Sequence, residues 1–211
     1  MGVRITGLKP TKRGLIALFC DGSFCFSVDG TLLEQHGLGI GSELAPELLA
    51  ELREAGENTK AIQKALRLLA VRGHSEKELT DKLTRHYDSY TAENAVRRMQ
   101  ELGYLQDLEF AESYARDLLT RRHNSLRTTR YKLREKGIDT DLIEQVLAPY
   151  QQNDADSIRT FIEKNERSVY RTAKDRSQLI RSLERRGFSG RDIREVLDEW
   201  ESEHADAVAE E

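Results

Sequence analysis

The chain has 211 residues, of which 38% are hydrophobic and 33% are charged, and its formal net charge is -4. The hydrophobic fraction is enough for buried cores, and the charged fraction is above the usual quarter, so the composition predicts a soluble protein. No run of about 18 apolar residues occurs, and the N-terminus MGVRITGLKP lacks an apolar stretch. We therefore expect neither a membrane span nor a secretion signal, and a cytoplasmic location.

The N-terminal part predicts a small β-hairpin that packs against a helix. Residues 15–28, LIALFCDGSFCFSV, are rich in strand-forming types around Asp21-Gly22, a strong signal for a two-residue hairpin turn. The segment 42–55 has leucines at helical spacing and predicts a helix that ends at Gly56. With this turn, one apolar face of the hairpin would consist of Leu15, Ala17, Phe19, Phe24, Phe26 and Val28.

The rest of the chain predicts nine helices, arranged as three repeats of three. Apolar positions recur at a constant offset of fifty, as in YKLREKGID at 131–139 and RSLERRGFS at 181–189, which indicates a repeated supersecondary unit. The helices are expected near residues 58–72, 75–86, 91–102, 108–122, 125–136, 140–149, 155–167, 175–186 and 190–201. Residues four apart share a helix face, so the buried pairs of each second helix should be Leu79/Leu83, Thr129/Leu133 and Leu179/Leu183.

The predicted fold is therefore mostly α: a tandem array of three three-helix repeats, forming an elongated curved molecule behind the small β-hairpin and helix module. The expected domains are 1–56 for the module, 57–106, 107–153 and 154–201 for the first, second and third repeats, and 202–211 for an acidic tail. The whole segment 198–211 has seven acids and no Lys or Arg, and we expect it to be disordered. It could also shield a basic surface of the free protein.

Basic residues concentrate in two segments. Residues 112–136 contain eight Lys or Arg against three acids, and residues 159–194 contain eleven against five. An acidic chain with a basic middle is typical of a protein that meets a polyanion or an acidic partner through that middle, and a merely solvated helix face is the alternative.

The second helix of the second repeat carries the clearest candidate surface. Arg127, Arg130 and Arg134 fall at i, i+3 and i+7, which places them on one face. The equivalent residues are Lys77, Thr80 and Thr84 in the first repeat and Ser177, Ile180 and Glu184 in the third. The repeat comparison thus predicts that the scaffold does not require arginine there. The candidate contacts for a protein or DNA partner are Arg121, Arg122, Arg127, Arg130, Tyr131, Lys132, Arg134 and Lys136.

Two of these assignments have alternatives. Tyr131 could stack on a base, or it could simply pack. Arg121 and Arg122 could instead complement the dipole at a helix end.

The sequence does not indicate an enzyme. It has no phosphate-binding loop, dinucleotide fingerprint, HExxH motif or serine elbow, and its five histidines are scattered. Cys20 and Cys25 are expected to be reduced thiols, since metal sites usually need four convergent ligands. A DNA-reading helix-turn-helix is also not expected. The helix after the second-repeat GIDT turn would enter the major groove, and it carries Asp139, Asp141 and Glu144, which the flanking phosphates would repel. We expect no catalytic residue, no cofactor and no metal.

Three motifs follow one another in the order of a known family. They are R-x-x-S-x-x-E-L (Arg72, Ser75, Glu78, Leu79), D-x-x-F-A (Asp107, Phe110, Ala111) and L-x-x-x-G-I (Leu133, Gly137, Ile138). From about Ala61 to Leu147, with the third copy reaching Leu197, the chain resembles the RecX family of recombinase regulators. Gln106 stands where the family often has asparagine, and the N-terminal module resembles that of longer members.

The resemblance implies a non-enzymatic cytoplasmic protein that binds RecA, as a nucleoprotein filament on single-stranded DNA. It would modulate or inhibit the recombinase, ATPase and SOS coprotease activities of RecA, and through them DNA recombination and repair. We expect a monomer that does not bind membranes and binds DNA directly only weakly. One alternative is a nonspecific nucleic-acid-binding protein that acts on single-stranded DNA itself, and another is a helical adaptor whose charges only keep it soluble.

Overall fold

A computed structural model describes residues 2–150, 154–169 and 173–208, so the last three residues of the predicted tail lie outside the described chain. The chain divides into two compact units, residues 1–106 and 107–211. A small strand module followed by three-helix repeats confirms the predicted, mostly α fold class. None of the helices in these described ranges has the length and apolarity that crossing a membrane requires.

The N-terminal module is a four-stranded antiparallel sheet, which is larger than the predicted hairpin. Its strands are β1 (Val3–Pro10), β2 (Ile16–Cys20), β3 (Ser23–Val28) and β4 (Glu43–Leu44), in the spatial order β3-β2-β1-β4. The predicted hairpin turn is confirmed, because Asp21 and Gly22 have φ angles of 48° and 85°. Two consecutive positive φ angles are those of a type I′ turn, which matches the twist of the flanking strands.

The predicted apolar face of the hairpin was right for Phe26 and Val28, which lie in the module core, and wrong for β2. The register of β2 and β3 shifts between Leu18 and Phe19, so that Leu18 and Cys20 face the core instead of Ala17 and Phe19. Leu18 therefore pairs with Phe26, and both are buried in the module core. Phe24 is instead 58% exposed and contacts Phe19 edge to face. A bulge adds one residue to one strand and so moves the residues beyond it to the other face of the sheet. Cys20 is buried and Cys25 half-buried, and both are free thiols.

The prediction of two helices separated at Gly56 was also wrong. After a short helix, α1 (Gly30–Gln35), the chain forms one continuous helix, α2 (Pro46–Leu69). Gly56 lies buried inside α2, and a Cβ there would overlap the carbonyl oxygen of Ser27 on β3. The glycine permits a close approach of helix and sheet rather than ending the helix. The expected domain border at residue 56 thus falls within a helix that serves both the module and the first repeat.

The remaining helices lie close to their predicted positions. They are α3 (Glu76–Leu83), α4 (Ser89–Glu101), α5 (Asp107–Arg116), α6 (Leu126–Glu135), α7 (Thr140–Leu147), α8 (Asp154–Val169), α9 (Ala173–Arg185) and α10 (Gly190–Val208). A π-helical turn, Asp117–Arg121, continues α5. The predicted buried pairs of α3, α6 and α9 are confirmed, since each of the six side chains is at most 4% exposed.

The expectation of a disordered acidic end was wrong for the described residues, because α10 continues to Val208. Trp200 is buried in the apolar core of the third repeat and anchors this part of the helix. The acids of α10 form ion pairs with arginines of the same repeat, Arg159 with Glu199 and Glu203, and Arg176 with Asp198 and Glu201. These four acids therefore neutralise third-repeat arginines, and the proposed shielding of the second-repeat surface does not describe them.

Candidate partner-binding surface

The orientation of α6 is set by its buried stripe. Thr129 and Leu133 are fully buried, and Leu133 packs in the core that α5, α6 and α7 share. The Thr129 hydroxyl donates to the carbonyl oxygen of Ser125 at 3.0 Å, so its polar atom is satisfied inside the core. Ser125 also caps the helix, because its side-chain oxygen accepts from the backbone N–H of Thr128. The predicted basic residues consequently lie on the outer side of a fixed helix.

Arg127, Tyr131 and Arg134 form an exposed stripe along that outer side, at i, i+4 and i+7, which we call the α6 patch. Tyr131 is 62% exposed, so the alternative that it packs in the core is excluded. A hydrogen bond to Glu135 raises the pKa of Tyr131 above its ordinary value. Among the residues that the structure describes, neither Arg127 nor Arg134 forms an ion pair. The patch thus places an aromatic ring between two cations.

Arg130 lies beside this patch and has a structural partner that the repeat comparison missed. Its guanidinium donates to both carboxylate oxygens of Glu144 on α7, at 2.7 and 2.9 Å. The hydrogen bond to Arg130 lowers the pKa of Glu144, and the same bond raises the pKa of Arg130. The residues equivalent to Glu144 are Asn94 and Arg194, so the pair belongs to the second repeat alone.

Arg127 also contributes to a joint between the second and third repeats, formed by residues 122–128 and 186–187. Its guanidinium donates to the carbonyl oxygen of Gly187 at 3.1 Å. The backbone N–H of Ser125 donates to the carbonyl oxygen of Arg186 at 3.0 Å. Arg186 in turn donates to the carbonyl oxygen of Arg122 at 3.1 Å. The turn after α9 is therefore held against the N-terminus of α6.

The other predicted contacts lie at the edges of this region. Asp117 pairs with Arg122 at 2.8 Å and, more loosely, with Arg121 at 3.7 Å. Arg121 is the last residue of the π-helical turn and Arg122 follows it, where cations also complement the helix dipole. The ammonium of Lys136 lies 5.9 Å from the centre of the Tyr114 ring. Lys132 is half-buried on the far flank of α6. The structure therefore brings together only part of the predicted set as one exposed patch.

Sequence reasoning missed Arg186 and Glu144, which hold predicted site residues in place. Arg186 stacks on Phe161 at 4.3 Å and is buried enough to lower its pKa. Repeat spacing could have located the turn before Gly187, although not the contact of that turn with α6. In the described parts of the chain, no group of three or more His, Cys, Asp or Glu side chains is arranged to hold a metal ion. The exposed cations of the α6 patch are suited to recognition of an anionic partner.

Comparison with known protein families gives two matches inside the helical part. The model for the RecX first three-helix domain matches residues 61–99, and the model for the RecX second three-helix domain matches residues 107–147. Both segments lie within predicted repeats.

Curated relatives match a larger part of the chain. Regulatory protein RecX of Lactobacillus delbrueckii subsp. bulgaricus is 36% identical over 146 residues, which cover 68% of this chain and 54% of the relative. Regulatory protein RecX of Bacillus pumilus is 29% identical over 204 residues, which cover 92% of this chain and 76% of the relative. The chain thus spans about half the length of the Lactobacillus delbrueckii relative.

Two solved structures have a similar fold. A crystal structure of regulatory protein RecX has a TM-score of 0.64 at 22% identity, over 93% of this chain and 99% of the other. The crystal structure of RecX from Lactobacillus salivarius has a TM-score of 0.52 at 25% identity, over 68% of this chain and 96% of the other. Together with the two domain matches and the curated relatives, these similarities show that the chain belongs to the RecX family of regulatory proteins.

Proposed function

We propose that this protein binds RecA assembled as a filament on single-stranded DNA, and modulates or inhibits its recombinase, ATPase and SOS coprotease activities. Membership in a family of regulatory proteins supports a role in regulation. The observation that carries the proposal is the α6 patch, where Tyr131 lies between two arginines that form no ion pair with the described residues.

The composition of the patch fits a protein interface that also faces nucleic acid. Tyr and Arg are the residue types that most often supply binding energy at interfaces. The same residues can stack on bases and neutralise phosphates of a DNA strand. The equivalent triplets are Lys77, Asp81 and Thr84 in the first repeat and Ser177, Arg181 and Glu184 in the third. A helix at this position of the fold therefore does not need Tyr131 or Arg134 for packing, whereas Arg127 also holds the inter-repeat joint.

The test is the single-stranded-DNA-dependent ATPase of RecA, titrated with this protein and with a patch variant. The variant combines Tyr131→Asp with Arg134→Thr, because Asp81 and Thr84 occupy these positions in the first repeat. We expect the concentration for half-inhibition to rise by about tenfold or more, as for the loss of an interface residue worth at least ~1.4 kcal/mol.

A control variant changes charge by the same amount within the same unit. Arg181→Ala with Arg191→Ala removes two exposed cations outside the patch, and should leave inhibition unchanged. Equal inhibition by the wild-type protein, the patch variant and the control would contradict a role for the patch.

The second candidate is a protein that binds single-stranded DNA directly and acts on RecA only by competition. The exposed cations next to Tyr131 favour it as well. A binding isotherm on the same DNA without RecA separates the two. Inhibition at protein concentrations well below those that coat bare DNA supports the RecA regulator. Inhibition that appears only as the DNA saturates supports competition.

A further inference from the structure

A second cationic surface lies in the first unit, where a cleft of about 420 Å³ opens beside α2. Lys60, Lys64 and Arg67 line one wall of the cleft from a single face of α2, at i, i+4 and i+7. Arg13 faces them from the loop between β1 and β2, and the Gln63 amide fixes this loop by donating to the Arg13 carbonyl at 3.2 Å. The cleft thus collects four cationic side chains from two separate segments.

Most of this positive charge has no internal counterion. Glu57 pairs with Lys60 at 2.8 Å. Within the described ranges of the chain, no carboxylate lies within ion-pairing distance of Arg13, Lys64 or Arg67. Cations that converge on one concave surface repel one another and attract anions from solution. The arrangement is therefore suited to an external polyanion.

The repeat scaffold does not require these cations. The residues equivalent to Lys60, Lys64 and Arg67 are Phe110, Tyr114 and Asp117 in the second repeat and Thr160, Lys164 and Arg167 in the third. A three-helix unit therefore folds with aromatic or acidic residues at all three positions.

Two aromatic rings that line the cleft indicate which polyanion fits. His86 is exposed and Tyr87 half-buried just after α3, with their ring centres 6.5 Å apart. Single-stranded nucleic acids are bound by surfaces that combine backbone-neutralising cations with aromatic faces for the bases. An acidic protein segment would use the cations and leave the rings unused, and a duplex would hide its bases from them.

We propose that this cleft binds the phosphodiester backbone of single-stranded nucleic acid, with Arg13, Lys64 and Arg67 at the phosphates and a base against His86 or Tyr87. The volume lies within the range of about 300–1,000 Å³ typical of pockets for ligands larger than a single ion. The cleft consists of residues other than those of the α6 patch, and the binding proposed for it does not depend on RecA.

The experiment measures the affinity of the full chain for a fluorescently labelled oligothymidylate without RecA, over a range of salt concentrations. The variant Lys64→Ala with Arg67→Ala removes two cleft cations. For single strands each phosphate contact contributes about 0.7 to the salt slope, so the slope should decrease by about 1.4. The same relation predicts a loss of affinity of roughly tenfold or more near ~0.1 M salt.

The matched control is Arg97→Ala with Arg98→Ala, which removes two exposed cations from α4 in the same unit. Circular dichroism of both variants checks that the helices are retained. Equal affinity and equal salt slope in the cleft variant and the control would overturn the proposal.

A second readout tests the aromatic part and the nature of the ligand. Photocrosslinking with an oligonucleotide that contains 5-iodouracil should label the peptide with His86 and Tyr87. Labelling confined to other peptides would overturn the stacking assignment. Loss of polyglutamate binding by the cleft variant without loss of oligonucleotide binding would identify an acidic protein as the ligand and overturn the nucleic-acid assignment.

Discussion

Alanine substitutions at two glycines that follow helices separate two free-energy costs. One is the cost of a left-handed backbone conformation, and the other is the cost of crowding between side chains. Gly103 follows α4 with φ of 73°, and Gly187 follows α9 with φ of 92°. A Cβ at Gly103 would meet only the amide nitrogen of Gln106, at 4.0 Å. A Cβ at Gly187 would overlap the Thr128 hydroxyl oxygen and approach that of Ser125 to 2.8 Å. Alanine at either position must adopt the left-handed backbone conformation, which costs free energy. Only Gly187→Ala also crowds the joint between the second and third repeats.

The expected magnitudes follow from these two terms. A non-glycine residue in the left-handed region costs about 1–2 kcal/mol, which is the whole expected effect of Gly103→Ala. Overpacking adds about 1–3 kcal/mol at Gly187. Movement of the turn would also weaken the hydrogen bond from Arg127 to the Gly187 carbonyl and the one from Ser125 to Arg186, at about 1 kcal/mol each. We therefore expect Gly187→Ala to lower the free energy of unfolding by about 2–5 kcal/mol from the backbone and crowding, and by about 4–7 kcal/mol if both hydrogen bonds are lost.

Urea unfolding followed by far-UV circular dichroism measures both variants, and the single tryptophan, Trp200, reports on the third repeat by fluorescence. In a Thr128→Ala background the excess cost of Gly187→Ala should shrink, because the overlapping hydroxyl is gone. Equal destabilisation by Gly103→Ala and Gly187→Ala, or an excess that Thr128→Ala leaves unchanged, would refute the packing of this turn against α6.

Three further changes test other contacts. Gly56→Ala should destabilise the first unit by about 2 kcal/mol in urea unfolding, although alanine favours helix, because its Cβ overlaps the sheet backbone; a gain in stability would contradict this contact. A double-mutant cycle of Arg130→Ala and Glu144→Ala should give a coupling free energy of only about 0.5–1 kcal/mol in unfolding, since the ion pair is partly exposed. A coupling near zero would show that this ion pair does not stabilise the fold. Burial lowers the pKa of His74, so unfolding takes up a proton and stability should fall as pH decreases below about 6.5. Replacement by the residue at the equivalent position, Asn124, in His74→Asn should reduce that pH dependence of the urea midpoint, and an unchanged dependence would assign it to another group.

The repeat architecture was predictable because local, periodic sequence patterns determine it. Apolar residues four apart define α3, α6 and α9, serine caps begin α3 and α6, and the offset of fifty provides an internal check on each helix. The wrong predictions concern residues whose surroundings are formed by a segment that is distant in the sequence. Gly56 looks like a helix stop unless the neighbouring Ser27 carbonyl is known. The β-bulge pairs Phe26 with Leu18 instead of Ala17, and the alternation of the sequence does not reveal this shift.

In the candidate surface, too, the features set by local sequence patterns were predictable and the contacts with distant segments were not. The exposure of Tyr131 and Arg134 follows from the helical position of the buried stripe, which the sequence contains. The partners of Arg130 and Arg127 lie 14 and 60 residues away in sequence, and no spacing rule along one helix reveals them. The acidic C-terminal segment was misjudged because its charge was considered without Trp200, whose burial holds the helix in place.

The distribution of ion pairs supports a binding role for the two cationic surfaces more strongly than net charge does. The chain contains enough acid to neutralise its bases, and α10 does so for Arg159 and Arg176 of the third repeat. Among the described residues, Arg134 of the α6 patch and Lys64 of the cleft form no such ion pair, although Glu144 is near enough to Arg134 for that arginine to lower its pKa. Unpaired cations placed side by side repel one another and oppose folding. The other repeats have Thr84 and Glu184 at the position of Arg134, and the second repeat has Tyr114 at the position of Lys64, although the third keeps Lys164. Since the same chain neutralises arginines elsewhere, an anion that binds from outside best explains why these cations are left unpaired.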